Sequence, residues 1–220
     1  DKGQWAMIFN ETVKSDSNPV DRTEKFMFDG ERLIQHIIKQ RYFEEEISNE
    51  VNLSYSDNQV TVTTDYLTLV YTLNSEGYAS QCVYSLSSQN RIYQFSYSAE
   101  GYLTGIVENI DDTEYSSTSL TYENGDITSI SSKMNGLENK FIYEPGEESS
   151  TYHLPCLGLL EIHPLTFHIE ALYAGLLGKD PRHFTMHSCP AGSNDEKTVY
   201  SYGFDKKGNP SRMICQTTYA

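Results

Sequence analysis

Basic residues are scarce in this sequence. Its 220 residues include 16 Lys and Arg against 31 Asp and Glu, which gives a formal net charge of −15. Binding to a nucleic acid backbone needs clustered Lys and Arg, so the composition argues against nucleic acid as a partner. It argues equally against electrostatic docking on an anionic membrane surface.

Uninterrupted apolar runs are also missing. Polar or helix-breaking residues interrupt the most apolar stretch, residues 154–178, at Glu161, His163, Pro164, His168 and Glu170. This pattern does not predict a membrane-spanning helix. The chain begins DKGQW, without an initiator Met, a basic region or the apolar core of a signal peptide. We therefore expect a mature product whose targeting signal has been removed.

The sequence has four cysteines and no C-x-x-C pair. Cys82, Cys156, Cys189 and Cys215 are far apart in the chain. Oxidised, they allow three disulfide pairings, and the sequence does not choose among them. Isolated buried thiols are the equally weighted alternative.

Sequence motifs that signal catalysis or cofactor binding are absent. The chain has no G-x-G-x-x-G or Walker pattern, no G-x-S-x-G elbow, no H-E-x-x-H and no calcium loop of D-x-D-x-D-G spacing. Runs of acidic residues, such as Glu44–Glu46, are typical of solvated strand ends. No cofactor is predicted.

Tyrosine, in contrast, is abundant: 17 Tyr stand against a single Trp. Tyrosine favours half-buried pleated surfaces, where the ring packs and the hydroxyl reaches water. A chain of this length is enough for one large all-β domain or for two small domains.

An evenly spaced repeat supports β structure. The glycines of the segments YTLNSEGYASQCVY, FSYSAEGYLTGI and LTYENGDITSI are Gly77, Gly101 and Gly125, which stand at equal intervals along the chain. Apolar residues alternate with polar ones on both sides of each glycine, which predicts two strands and a tight turn. The repeat therefore indicates a structural hairpin and not a ligand-binding loop.

Three weaker copies extend the pattern, in FMFDGERLIQHII, NLSYSDNQVTV and VYSYGFDKKGNPSRMI. The sequence thus predicts a mainly β fold, an antiparallel meander of about a dozen strands that forms a curved sheet or a barrel. We expect a single domain over residues 1–220. Its parts are hairpin repeats at 26–143, a helix-containing insertion at 144–190 and a returning hairpin at 198–219.

The insertion holds one predicted helix, near residues 165–177. Apolar residues recur there at helical spacing, Pro164 stands at a first-turn position, and Gly178 and Pro181 follow the last apolar residue. We expect this amphipathic helix to pack on the sheet or to cover one end of a barrel.

Together, the segment YAGLLGKDPRHF and the returning unit YGFDKKGNPSRM resemble an uncharacterised family of secreted or lipid-anchored proteins of gut bacteria. That family is described as a domain of unknown function with a porin-like fold. The resemblance runs from about Phe26 to Met213, and a looser one links the hairpins to YD-type repeat proteins. It implies a barrel-like antiparallel fold, export from the cytoplasm and tethering through a removed N-terminal lipid anchor, and it brings no catalytic residues.

Aromatic side chains are the candidate binding residues. Tyrosines on one sheet face could stack on sugars or peptides, although cross-strand packing is the commoner role. The candidates are Tyr71, Tyr93, Tyr97, Tyr102 and Tyr122.

Histidines cluster between residues 153 and 187. His183 and His187 lie four residues apart and would share one face of a helix, which makes them the candidate metal ligands. Hydrogen-bonded histidines in a connecting segment are the favoured alternative.

The resemblance implies an exported envelope protein of the periplasm, the outer-membrane surface or the extracellular space. Its expected role is non-catalytic binding of a glycan, a peptide or an envelope partner. Two alternatives stay open: a hydrolase or lyase with a site around residues 153–189, and a structural shell module. The sequence leaves the ligand and the oligomeric state undecided.

Overall fold

One antiparallel sheet contains every strand of the computed structural model, which describes residues 3–13, 20–42, 44–86, 89–149, 164–193, 195–204, 206 and 210–219. The strands are β1 (Gln4–Val13), β2 (Val20–Asp29), β3 (Arg32–Tyr42), β4 (Glu45–Tyr55), β5 (Gln59–Thr63), β6 (Thr68–Leu73), β7 (Ala79–Leu86), β8 (Gln89–Tyr97), β9 (Leu103–Ile110), β10 (Thr113–Glu123), β11 (Asp126–Met134), β12 (Leu137–Ser149), β13 (His183–Pro190), β14 (Glu196–Phe204) and β15 (Pro210–Tyr219). Each strand pairs with the next in sequence, so the predicted antiparallel meander is confirmed.

The sheet is open. Within the described ranges, β1 pairs only with β2, and β15 pairs only with β14, so these two strands form its edges. Of the two predicted forms, a curved sheet or a closed barrel, the structure therefore has the open sheet.

The evenly spaced glycines occupy hairpin turns. Gly77, Gly101 and Gly125 have φ angles of 84°, 91° and 87°, in the left-handed region that side chains disfavour. In the turn between β8 and β9, the amide of Gly101 donates to the carbonyl of Ser98 at 3.0 Å. The FSYSAEGYLTGI segment is thus two strands and a tight turn.

The core lies on one face of the sheet. Alternate side chains of successive strands are almost fully buried there, including Phe26, Val60, Tyr93, Ile106 and Ile130. Period-two alternation produces this arrangement because neighbouring residues of a strand point to opposite faces.

A short helical segment covers this face. It consists of a 3₁₀ turn, Leu165–His168, and one α-helix, α1 (Ile169–Tyr173). It is shorter than the predicted helix because the chain turns at Gly175, where φ is 71°. It is also buried on more than one side, since both His168 and Glu170 lie in the interior. None of the helices in the described ranges has the length and apolarity needed to cross a membrane.

The chain then crosses the ends of the hairpins. Residues 176–182, the crossing segment, pass the turns that contain Gly77, Gly101 and Gly125 before the chain enters β13. The predicted insertion at 144–190 therefore also contains strand β13, which pairs with β12. The polar, histidine-containing sequence of β13 lacks the clear alternation from which the hairpin strands were predicted.

Candidate ligand-binding site

The covered face of the sheet carries an arginine held between two aromatic rings. The guanidinium carbon of Arg91 lies 5.6 Å from the ring centre of Tyr84 and 5.9 Å from that of Tyr115. Its Nε is 3.4 Å from Oε1 of Glu108, which is an ion pair longer than a well-formed hydrogen bond. We call these four residues the Arg91 site.

Strand register assembles the Arg91 site. Arg91 on β8 lies opposite Tyr84 on β7, and Glu108 on β9 lies opposite Tyr93 on β8. Tyr115 sits where the β9–β10 register shifts, between Glu114 and Ser116. Such a bulge inserts one extra residue into a strand and can redirect its side chain.

Glu108 is the buried anion of the site. Its side chain has no solvent exposure, and its carboxylate accepts hydrogen bonds from the hydroxyls of Tyr93, at 3.1 Å, and Ser116, at 2.7 Å. Burial and the nearby charge of Glu108 raise the pKa of Tyr93, so the phenol stays protonated and donates. Together with Arg91, these donors compensate a carboxylate that would be costly to bury alone.

Arg91 itself is not fully enclosed, because a quarter of its side chain remains exposed. A guanidinium offers five N–H donors in a planar fork, which matches the geometry of a carboxylate. The two tyrosine rings are half-buried, so their exposed edges add apolar surface beside the guanidinium. The arrangement is therefore chemically suited to an organic ligand with an anionic group.

A second ionic cluster joins the helix to the sheet. His36 on β3 is fully buried; its Nδ1 lies 2.7 Å from Glu170 on α1 and its Nε2 lies 3.0 Å from Glu24 on β2. Glu24 also pairs with Arg22 at 2.6 Å. Because these four side chains, the His36 cluster, bind one another, we assign them a structural role.

Burial and charge act in opposite directions on His36. Burial alone lowers its pKa, but the hydrogen bonds and charges of Glu170 and Glu24 outweigh burial, so the pKa is raised. Burial also favours the neutral form of Glu24, yet hydrogen bonding to His36 and the charge of Arg22 hold the pKa of Glu24 below its usual value. The pair is thus stabilised as imidazolium and carboxylate.

The candidate tyrosines lie in different environments. Tyr71 and Tyr93 have no exposed surface, and the Tyr71 hydroxyl lies 2.6 Å from Nδ1 of His168. The Tyr97 hydroxyl donates to the carbonyl of Ala79 at 2.6 Å. Tyr71 and Tyr93 therefore pack inside the protein, and Tyr97 is half-buried against the backbone of β7.

Tyr102 and Tyr122 are half-buried and stack on each other, with ring centres 5.0 Å apart. A Cβ added to Gly125 would lie only 2.6 Å from the hydroxyl oxygen of Tyr102. This stacked pair packs around a hairpin turn. A ligand-binding role for it remains a prediction.

The structure separates the candidate metal ligands. His183 and His187 both lie on β13, where four residues span about 13 Å. Nδ1 of His183 lies 2.8 Å from Asp126, whereas Nδ1 of His187 lies 2.9 Å from Glu144. An extended strand thus gives each imidazole its own carboxylate, where a helix would have placed the two side by side.

Metal coordination by other side chains and disulfide bonding were the remaining possibilities for the histidines and cysteines. In the part of the chain that the structure describes, no three His, Cys, Asp or Glu side chains come close enough to share a metal ion. His153, Cys156 and His163 lie outside the described residues. Cys82 and Cys189 carry free thiols, and Cys82 is buried.

Sequence reasoning missed the Arg91 site, although a signal was present. Glu108 follows Ile106 by two residues, and Arg91 precedes Tyr93 by two, so both charges stand in the apolar series of their strands. A charge in an inward register is costly unless it is paired, and this marks both positions as unusual. Their pairing across strands depends on the register and the bulge.

Comparison with known protein families finds a match over residues 26–212. The matching family is described as a domain of unknown function (DUF4595) with a porin-like fold. The chain belongs to the DUF4595 family. The family resemblance predicted from the sequence is thus confirmed, whereas secretion and a lipid anchor remain predictions.

Solved structures agree with the DUF4595 fold. A porin-like protein from Bacteroides uniformis is similar over 97% of this chain and 94% of its own, with a TM-score of 0.87 and 26% sequence identity. A porin-like protein from Bacteroides vulgatus is 11% identical over 97% and 96% of the two chains, with a TM-score of 0.57, and shares the fold alone. Among curated proteins, none matches the chain significantly.

Proposed function

We propose that this DUF4595 protein is an exported, non-catalytic envelope protein that binds an acidic saccharide at the Arg91 site. The observation that carries the proposal is the position of Arg91, between the rings of Tyr84 and Tyr115 and against buried Glu108. The porin-like description of the similar Bacteroides proteins supports a place in the envelope.

The chemistry favours a saccharide with a carboxylate. In a chain of net charge −15, an anionic ligand needs a local cation, and Arg91 supplies one whose Nε side is held by Glu108. The outer N–H groups of a guanidinium can then bind a carboxylate in a bidentate manner. The exposed edges of half-buried Tyr84 and Tyr115, whose faces meet the guanidinium, would contact the apolar face of a sugar ring.

Catalysis is the weaker alternative. A hydrolase or lyase at residues 153–189 needs polar groups that converge on one substrate. His183 and His187 both lie on β13, and each binds a different carboxylate. A purely structural module is the other alternative, and it predicts no saccharide binding.

The test is calorimetric titration of the full chain with tri-galacturonate, and with the neutral galactose trisaccharide as the matched ligand. We expect the wild-type protein to bind the acidic trisaccharide more tightly. Arg91→Lys keeps the charge but removes the planar fork, and should weaken binding by about tenfold, or about 1.4 kcal/mol.

Arg22→Lys is the matched control variant, because Arg22 also pairs with a glutamate on the sheet but belongs to the His36 cluster. Its saccharide affinity should equal that of the wild type. Failure of the wild type to bind either trisaccharide would overturn the proposal and favour the structural module. Equal loss in both variants would overturn the assignment to Arg91.

A further inference from the structure

The helical segment carries an aromatic ring next to the Arg91 site. The ring centre of Phe167, in the 3₁₀ turn, lies 5.3 Å from that of Tyr84 and 5.5 Å from that of Tyr93. Tyr84 is one of the two rings that face the guanidinium of Arg91. The Tyr93 hydroxyl donates to the buried carboxylate of Glu108. Phe167 therefore contacts two of the rings around which the Arg91 site is built.

The backbone around Phe167 is anchored to the core. Its amide donates to the carbonyl of Pro164 at 2.9 Å. Leu165 and His168, in the same turn, have no exposed surface, and Nδ1 of His168 lies 2.6 Å from the hydroxyl of Tyr71. Because its neighbours on both sides are fixed in this way, the Phe167 ring is already in place, and little conformational entropy is lost when a ligand contacts it.

Phe167 is less enclosed than these neighbours. It is half-buried, as is Tyr84, whereas Leu165 in the same turn is completely buried. Both rings belong to the covered face of the sheet, and Tyr84 lies between Arg91 and Phe167 in the series of contacts. The exposed parts of the two rings thus form an apolar surface that continues from the guanidinium toward the helical segment.

This surface suits a sugar ring beside the one that carries the bound carboxylate. Aromatic rings contact Phe167 from Tyr84, Tyr93 and His168, so its surroundings are apolar. The cation of the site, Arg91, lies on the far side of this contact series. An acidic oligosaccharide that places one carboxylate on Arg91 can therefore present the C–H face of the adjoining sugar to the aromatic surface.

We propose that Phe167 and Tyr84 form a second subsite, which binds the sugar ring adjoining the one whose carboxylate pairs with Arg91. The inference rests on the proposed function and defines its ligand more closely. That ligand is an acidic oligosaccharide of at least two sugar residues, bound in preference to a single uronic acid. Phe167 is thus a residue that determines specificity for the length of the ligand.

The test compares two ligands by calorimetric titration of the full chain: tri-galacturonate, and methyl galacturonoside, a single uronic acid that can occupy Arg91 alone. Phe167→Leu keeps an apolar side chain but removes the flat ring. We expect it to weaken binding of the trisaccharide by about fivefold, or about 1 kcal/mol, and to leave the affinity for the monosaccharide unchanged. Phe167→Trp restores a flat ring and should retain the wild-type affinity for the trisaccharide.

Phe9→Leu is the matched control variant. Phe9 is also half-buried, and its ring centre lies 6.0 Å from that of Phe26 and 6.1 Å from that of Tyr173 on the helical segment. It belongs to the edge strand β1, whereas Tyr84 and Arg91 lie on β7 and β8. The substitution removes a comparable contact between sheet and helical segment, and should leave both affinities at their wild-type values.

Fluorescence locates the second sugar independently of affinity. Trp5→Phe removes the single Trp of the chain, so the double variant with Phe167→Trp has its only indole at the proposed subsite. We expect tri-galacturonate to change the emission of this indole, because its second ring contacts it. Methyl galacturonoside should leave the emission unchanged.

The possible failures are distinguishable. If the wild type binds neither ligand, the proposed function is overturned and the second subsite with it. If the wild type binds the trisaccharide and Phe167→Leu binds it equally well, or loses affinity for both ligands in the same proportion, the second subsite is rejected while the Arg91 site stands. A loss in Phe9→Leu as large as that in Phe167→Leu would also reject the subsite, since docking of the helical segment would then explain both.

Discussion

The amide of Lys179 donates a hydrogen bond of 2.8 Å to the carbonyl of Gly101, although the two residues are far apart in the sequence. Three residues later, the amide of Arg182 donates to the carbonyl of Gly125 at 3.0 Å. Three extended residues span about 10 Å, which is about the width of two hydrogen-bonded strands. The crossing segment thus advances one hairpin for every three residues.

The same register extends to the preceding hairpin, where the amide of Ala79 donates to the carbonyl of Leu176 at 2.7 Å. The turns of three successive hairpins are therefore bound by one short segment. At Gly101 and Gly125 the turn glycine has a second role beyond its φ angle, since an added Cβ would lie within 3.5 Å of the side chain of Lys179 or Arg182 in the crossing segment.

Gly178 is the first position to test. Its φ is +87°, and an added Cβ would lie 2.7 Å from the carbonyl oxygen of Gly101 and 3.0 Å from the amide of Leu103. We expect Gly178→Ala to lower the free energy of unfolding by about 3 kcal/mol or more, because backbone strain and a backbone clash add together. Urea unfolding followed by circular dichroism measures the loss.

Gly77→Ala is the matched control. Gly77 has a φ of +84°, but an added Cβ would have no atom within 4 Å. Only the left-handed conformation is then disfavoured, at a cost of about 1 to 2 kcal/mol. Equal losses in the two variants would contradict the close docking of the crossing segment.

His36 predicts how stability depends on pH. Its pKa is raised in the folded protein above the usual value of 6.5, so the folded state binds the proton more tightly than the unfolded state. The resulting stabilisation is complete below about pH 6.5 and is lost as the pH rises through the folded pKa. The pKa of Glu24 is lowered, so its contribution is present above the usual value of 4.5 and is lost as the pH falls through the folded pKa.

His36→Gln should remove the alkaline part of this dependence. Urea unfolding from about pH 5 to about pH 9 would show wild-type stability falling on the alkaline side, with a smaller fall in the variant. His187→Gln is the control, because His187 pairs with the largely exposed Glu144. A parallel fall in wild type and His36→Gln would show that other groups cause it.

Glu108 should be important for stability as well as for the Arg91 site. Glu108→Ala leaves the hydroxyls of Tyr93 and Ser116 without their carboxylate partner and Arg91 without its counter-charge. We expect a loss of about 3 kcal/mol or more in the free energy of unfolding. Thermal and urea unfolding would measure it.

Glu138→Ala serves as the control for Glu108→Ala. Glu138 also accepts a serine hydroxyl, that of Ser131, but on the exposed face of the sheet. Its removal should change stability by at most about 0.5 kcal/mol. A loss as large as that of Glu108→Ala would contradict the importance of burial.

Thiol reactivity provides a further prediction. Burial raises the pKa of Cys82 to about 12, against a smaller opposing effect of its hydrogen bond with Tyr71, so the thiol stays protonated at neutral pH. Because the thiolate is the nucleophile, iodoacetamide should label Cys82 only after denaturation. Half-buried Cys189 should be labelled before Cys82 in the native protein. Peptide mapping by mass spectrometry compares the two, and rapid native labelling of Cys82 would contradict its burial.

The sequence alone determined the class of fold. Period-two alternation around turn glycines predicts antiparallel hairpins, because a strand with one buried face must alternate and a tight turn needs positive φ. β1 was missed, since no turn glycine stands in its alternating sequence QWAMIFNETV. β13 was missed because its polar residues and histidines obscure the alternation, although the backbone pairing with β12 that holds it extended is insensitive to side-chain polarity.

Only the tertiary structure decided where the charges meet. Arg91, Glu108 and Tyr115 are brought together by strand register and a bulge, neither of which leaves a periodic signal in the sequence. Likewise, His36 and Glu170 are 134 residues apart and meet because the helical segment folds back onto the sheet. Local alternation follows from the geometry of single strands, whereas contacts between distant residues depend on strand register and on where the helical segment packs on the sheet.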